Sequence, residues 1–122
     1  MTLPDLIIAT GPVTQLAQDM LSDFGDLVEL SDHREGVPSE LIPRMRAIVL
    51  RGGSTLDREL INAADRLEVI GRSGVGTDGV DLEAASANRI PVVITPNAGV
   101  SAVAEGTFTM FLSITKRIRE LD

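Results

Sequence analysis

Ser73-Gly74-Val75-Gly76-Thr77-Asp78-Gly79 contains a G-x-G-x-x-G that follows an apolar run and precedes a helical pattern. Glycines at that spacing let a ligand approach main-chain N–H groups, and those groups suit an anion. For the pyrophosphate of a dinucleotide, an acidic residue about 20 positions further on would accept the ribose hydroxyl. The next strand pattern, Pro91 to Thr95, leads instead into Pro96-Asn97, with no carboxylate there. Asp78 and Asp81 would oppose phosphate while suiting turn and cap roles. Two readings remain open for Gly71 to Gly79: a compact turn around a small anion, and a glycine-rich connection with no ligand.

Two further loops carry residues of the right type. Arg51-Gly52-Gly53-Ser54-Thr55 places a guanidinium before exposed amides and a helix start, which is an anion site in kind. The same residues also suit a tight strand-to-helix turn with Arg51 in solvent. In Pro96-Asn97-Ala98-Gly99, Asn97 could hydrogen-bond a ligand or serve the turn alone. His33, the only histidine, stands in the polar loop Ser31 to Gly36, remote in sequence from every glycine turn. With no Cys and one His, neither a nucleophile–histidine pair nor a zinc site has a supporting spacing.

The elements that must position these loops are short branched runs alternating with helical stretches. Asp5 to Thr10, Leu27 to Leu30, Ala47 to Leu50, Leu67 to Arg72 and Pro91 to Thr95 read as strands. They are nearly all apolar, as strands covered on both faces of a parallel sheet are. Helices are expected over Gln15 to Asp23, Ser39 to Ile42 before Pro43, Leu56 to Ala64 behind a Ser54-x-x-Asp57 capping box, and Leu82 to Asn88 capped by Asp81. The last should run from about Ser101 to Arg119, with Val103, Met110, Phe111, Ile114 and Ile118 facing inward. Five such strands with short connections specify a doubly wound α/β sandwich, most simply of flavodoxin-like order 2-1-3-4-5. Ligands then collect at the carboxyl ends of the strands, where the glycine loops lie.

At 122 residues the chain reads as one domain with a single core. Its net charge of −7 and scattered basic residues argue against nucleic acid or an anionic membrane surface. Three Phe and no other aromatic residue are too few for base-stacking platforms. No apolar run is long enough to span a bilayer, and the absence of Cys is compatible with a reducing cytoplasm. A small molecule is the expected partner. A receiver domain would need clustered acids after the first strand and an Asp after the third, where the chain has Ala9-Thr10 and Arg51. A free-standing module that binds a small anion without catalysis stays open.

From Arg51 to about Ile118 the chain resembles the D-isomer-specific 2-hydroxyacid dehydrogenases. Arg51-Gly52-Gly53-Ser54 is similar to that family's R-S-x-T, and Ile61-Asn62-Ala63-Ala64 to its helix. Gly71-Arg72-Ser73-Gly74-Val75-Gly76-Thr77-Asp78-Gly79-Val80-Asp81 resembles its G-R-x-G-x-G-x-D-N-[VI]-D. Thr95-Pro96-Asn97 and Ala102-Val103-Ala104-Glu105-Gly106-Thr107 resemble its T-P-N/G turn and V-A-E-x-T helix start. Gly52 replaces the usual Ser, Ser54 the Thr, Gly79 the Asn, and Gly99 a frequent Asn. The first fifty residues match only as a strand–helix–strand pattern.

The resemblance implies that residues 1–122 form the first part of a flavodoxin-like substrate domain, with the NAD-binding domain following it. It implies substrate contacts from Arg51, Gly52, Gly53, Gly74, Val75, Gly76 and Asn97, with Val75 and Thr107 approaching the cofactor. The parent reaction would be hydride transfer between NAD(H) and a small 2-hydroxy or 2-keto acid. The family's second glycine fingerprint, its ribose-binding acid and its catalytic Arg, Glu and His all lie beyond the position of Asp122, and His33 precedes every matched block. These 122 residues alone are therefore expected to hold no catalytic residue and to be inactive. If the rest of the family's domain normally covers the last helix or a sheet face, a homodimer is expected, with exchange of the Ser101 to Arg119 helix as one route.

Overall fold

The computed structural model describes residues 4–31 and 36–120. His33 lies outside them. Five strands, β1 Leu6–Ala9, β2 Asp26–Glu29, β3 Met45–Leu50, β4 Val69–Arg72 and β5 Val92–Ile94, form one parallel sheet of order β2-β1-β3-β4-β5. This is the doubly wound α/β, flavodoxin-like arrangement that the run of apolar segments specifies.

The register shows why the runs are apolar. Val28, Ile8, Ile48, Ile70 and Val92 align across all five strands. Ile8, Ile48 and Ile70 are fully buried and pack with Leu6, Met45 and Leu50 against Ile61, Ala84 and Ala85 of the two helices on that face. Those helices are α2, Arg58–Ala63, and α3, Leu82–Ala87. The next row, Ala9, Val49, Gly71 and Val93, points to the opposite face by the period of two. There α1, Gln15–Ser22, begins behind Thr14, whose side chain accepts from the Ala17 N–H, and packs beside β2. Leu21 and Phe24 border an apolar groove of about 300 Å³ with Ile7, Ala47 and Val69. Towards the β5 edge this face is open, and Val93 is 55% exposed.

Three expectations change. Of the expected helix Ser39 to Ile42, residues 39–41 are turn, and a 3-10 helix begins only at Ile42–Arg44 with Pro43 inside it, where the ring needs no N–H partner. Helix α2 starts at Arg58, not Leu56, and its cap is Asp57, which accepts from the Leu60 N–H at 2.9 Å. Leu56 instead bridges Val80 in parallel, donating to the Gly79 carbonyl at 2.7 Å and accepting from the Asp81 N–H at 3.1 Å. That leaves Ser54 outside the cap, and it is buried.

The third change concerns α4, Val100–Thr115, which buries none of its residues. Val103, Met110, Phe111 and Ile114 are each more than 60% exposed, and Ile118 beyond the helix is 50% exposed, so the apolar stripe does not face this domain's core. The helix ends before Arg117, whose φ of 48° is left-handed, and a 3-10 turn follows at Ile118–Glu120.

Candidate functional site

Because every strand is parallel, the loops after β1, β3, β4 and β5 meet at one end of the sheet. Thr10, at the end of β1, is 4% exposed, and its hydroxyl accepts from the Arg51 N–H at 2.9 Å. The Ser54 hydroxyl is bonded to that of Thr10 at 2.6 Å and reaches the Arg51 carbonyl at 2.6 Å. These contacts anchor the Arg51 to Thr55 turn from below. Gly52, at φ 58°, lets it reverse where a side chain would be strained.

The loop after β4 is tied to this turn twice. At Gly79 a Cβ would stand 2.5 Å from the Ser54 carbonyl oxygen, so only glycine allows the two backbones to lie so close. The second tie is Arg72. Its Nε donates to the Gly76 carbonyl at 3.1 Å, Nη1 to Ser73 at 2.9 Å and Nη2 to Gly52 at 3.1 Å. One guanidinium thus spans both glycine loops. Among the described residues no carboxylate lies within ion-pair distance of it.

Between the loops is an open groove of about 360 Å³ lined by Gly52, Gly53, Thr55, Arg72, Gly76 and Asp78, among others. Gly74, at φ 150°, packs on the Arg72 side chain and donates its N–H to the Arg72 carbonyl at 2.8 Å. Its own carbonyl accepts from the Thr95 N–H at 3.0 Å, which fastens the start of the β5 turn to this loop. Among the described residues the N–H groups of Val75 and Gly76 donate to no protein acceptor, nor do those of Gly52 and Gly53. Unpaired amides facing water beside a fixed cation can receive an anion at little reorganisation cost.

The candidate residues are distributed unevenly about this groove. Gly52, Gly53 and Gly76 line it. The Arg51 guanidinium is turned to the Pro12 carbonyl. The Val75 side chain is 57% exposed, and Asn97 lies in the exposed turn after β5. Thr107 stands on α4, its hydroxyl donating to the Val103 carbonyl at 2.8 Å. Asp81 is the α3 cap: the Ala84 N–H first, then the Arg58 guanidinium, hold its carboxyl below the ordinary value. Among the described residues no group of His, Cys, Asp or Glu could hold a metal ion.

Sequence reasoning left Arg72 as a letter of a pattern and Thr10 unassigned. The available signal was positional: a basic residue closing an otherwise apolar strand immediately before a glycine turn, and a hydroxyl at the end of a buried one.

Comparison with known proteins follows the same boundaries. The family described as D-isomer specific 2-hydroxyacid dehydrogenase, catalytic domain, matches residues 7–120. The D-3-phosphoglycerate dehydrogenase of Mycobacterium leprae is 32% identical over 127 residues, covering 100% of this chain and 23% of the relative. A 2-hydroxyacid dehydrogenase structure from Ketogulonicigenium vulgare Y25 superposes with a TM-score of 0.75 at 29% identity, covering 98% of this chain and 38% of that one. The D-lactate dehydrogenase of Aquifex aeolicus, solved with NAD and lactic acid, gives 0.76 at 25% identity, covering 96% and 38%. The chain thus spans less than a quarter of the length of the curated relative. Its sequence match and its fold agree throughout the described residues, and the chain belongs to the D-isomer specific 2-hydroxyacid dehydrogenase family.

Proposed function

We propose that residues 1–122 form a single domain that supplies carboxylate recognition and one wall of the cleft in an NAD-dependent D-2-hydroxyacid dehydrogenase. The parent reaction is hydride transfer between the nicotinamide and a small 2-hydroxy or 2-keto acid, with 3-phosphoglycerate a candidate substrate. The observation that carries this reading is the pair of unpaired amides at Val75 and Gly76 beside the Arg72 cation. A carboxylate needs two adjacent donors, and they are offered where a doubly wound sheet collects its ligands. In this reading the Gly52-Gly53 turn adds further donors, and Asn97 and Arg51 are additional substrate contacts. The D-lactate dehydrogenase neighbour, solved with a nicotinamide and a 2-hydroxy acid, supports the same ligand classes.

The residues here suit a wall of a cofactor cleft and not a dinucleotide cradle. Gly74 spends its N–H on Arg72, and no acid follows β5 to take a ribose hydroxyl. In this reading the nicotinamide, bound mainly elsewhere, would give the hydride as NADH or take it as NAD, and Val75 and Thr107 border it. The exposed Val75 side chain offers an apolar edge. Polarising a substrate carboxylate does not transfer hydride without a held nicotinamide and an acid–base group at the carbonyl. The 122 residues alone are therefore inactive. We place the protein in the cytoplasm, where a chain without Cys needs no oxidising compartment.

A homodimer belongs to the same reading. The chain exposes 8590 Å², whereas a compact monomer of its 13.0 kDa would expose about 6,300 Å². The excess of roughly 2,200 Å² is more than one partner contributes to a standard interface. The stripe on α4 and the open sheet face towards β5 are the exposed apolar surface that such a partner would cover.

Amide-resolved NMR titration with glyoxylate, hydroxypyruvate and phosphohydroxypyruvate tests the site, alongside an NADH oxidation assay. We expect shifts centred on Val75 and Gly76 and no oxidation of NADH. Turnover by these residues alone would overturn the inactive reading, and shifts centred away from both loops would overturn the carboxylate site.

A further inference from the structure

Arg72 shares its row with Leu50 and Ile94, at the last pairing of β4 with its neighbours. Its side chain therefore rises on the face of the buried core, where it meets the turn after β3. All its hydrogen bonds go to neutral carbonyl oxygens, those of Gly52, Ser73 and Gly76. Such bonds hold geometry without cancelling charge. Each carbonyl that it binds also orients its own peptide plane. The Ser73 and Gly76 carbonyls share their planes with the Gly74 and Thr77 N–H groups, so Arg72 fixes the two ends of the segment Gly74 to Gly76, within which, among the described residues, the Val75 and Gly76 N–H groups donate to no protein acceptor.

Gly74 supports this arrangement from the other side. A Cβ there would stand 3.4 Å from Arg72 Nη1 and 3.5 Å from its Cζ, so the guanidinium lies flat against the loop backbone. A lysine has no planar fork and could not hold three carbonyls in fixed directions. Asp78, the carboxylate in the groove, makes no ion pair with Arg72, and its Oδ2 stands 3.6 Å from where a Cβ on Gly76 would be, so the Arg72 charge also offsets a carboxylate beside the amides.

We propose that Arg72 is the positioning residue of this site: its bonds to Ser73 and Gly76 shape the loop after β4, its bond to Gly52 ties that loop to the turn after β3, and its charge is held beside the Val75–Gly76 segment. This rests on the carboxylate reading given above. Arg72 acts through the loops and need not touch the substrate. It makes the turn selective for an anion, through charge, and for a planar one, through geometry.

The test compares the unaltered chain with R72K and R72Q, each first checked for folding by circular dichroism. Glyoxylate is the anionic probe and glycolaldehyde the neutral one, both followed at the Val75 and Gly76 amides. Hydrogen exchange at the Gly74 and Thr95 N–H groups reports loop order. We expect R72Q to bind glyoxylate at least about tenfold more weakly, the loss of a charge-assisted contact, and to lose its preference over glycolaldehyde. R72K should keep that preference and its salt dependence but exchange faster at Gly74 and Thr95, as charge without the fork predicts. A purely structural arginine would loosen exchange equally in both variants and leave the preference between probes intact, and that result overturns the proposal. Glyoxylate binding at full strength in R72Q overturns it too, while the carboxylate reading stands. No glyoxylate binding to the unaltered chain overturns both.

Discussion

The hydroxyls of Thr10 and Ser54, 44 residues apart, meet at 2.6 Å in a space closed to solvent, and they join the end of β1 to the turn after β3. Removing the Thr10 hydroxyl deprives the Arg51 N–H of its acceptor, and removing that of Ser54 takes a donor from both the Thr10 hydroxyl and the Arg51 carbonyl. Ser54→Ala and Thr10→Val should each cost about 1–3 kcal/mol, with the double variant costing less than their sum. Urea unfolding of the three variants measures this, and full additivity would show that the hydroxyls act separately.

Gly79 occupies the position where the family pattern has Asn, and its environment explains the change. Both Gly79→Asn and Gly79→Ala drive a Cβ into the Ser54 carbonyl, which is backbone and cannot swing aside. We expect a loss of about 1–3 kcal/mol from overpacking, together with weaker ligand response at the Gly52 and Gly53 amides. Unchanged urea midpoints in both variants would mean that the loops separate freely.

Asp81 gives the chain a defined acid sensitivity. Bonding to the Ala84 N–H, then to Arg58, lowers its pKa in the folded state. Its contribution is therefore complete above the unfolded carboxylate value, and is lost as pH falls through the lower folded value. Stability should decline below about pH 5, and Asp81→Asn should flatten part of that decline. Equal slopes in the two proteins would assign the acid sensitivity to other carboxylates.

Substitutions on α4 separate stability from assembly. Phe111→Glu and Ile114→Glu should leave the unfolding free energy of the sheet, from urea titration, within about 0.5 kcal/mol, because neither side chain is buried. The same variants should shift sedimentation from dimer towards monomer. A large loss of sheet stability would place the stripe against the core after all.

The fold was legible because its inner strand β1 is covered on both faces, although the edge strands β2 and β5 are partly exposed. Leu6 to Ala9 is buried at every position, so the sequence there is a continuous apolar run that no other element of that length produces. The orientation of α4 was not legible. Amphipathic spacing states that Val103, Met110 and Phe111 need a cover, and is silent on which body provides it. The two glycine loops stood out because glycine has few other uses at such spacing. The role of Ser54 was misread because its local pattern fits a cap, while its actual partner, Thr10, is distant in sequence. Arg72 is similar: its acceptors are backbone atoms, and backbone carries no letter in a sequence.

Helix α4 is 16 residues long, about 24 Å, and buries none of them. A solitary helix of that length is only marginally stable in water, because nucleation is costly and no packing offsets it. Its helicity should therefore follow whatever docks on it, while the sheet unfolds as a separate unit. Two melting behaviours are therefore expected from one chain, with the helical signal of α4 serving as a gauge of assembly.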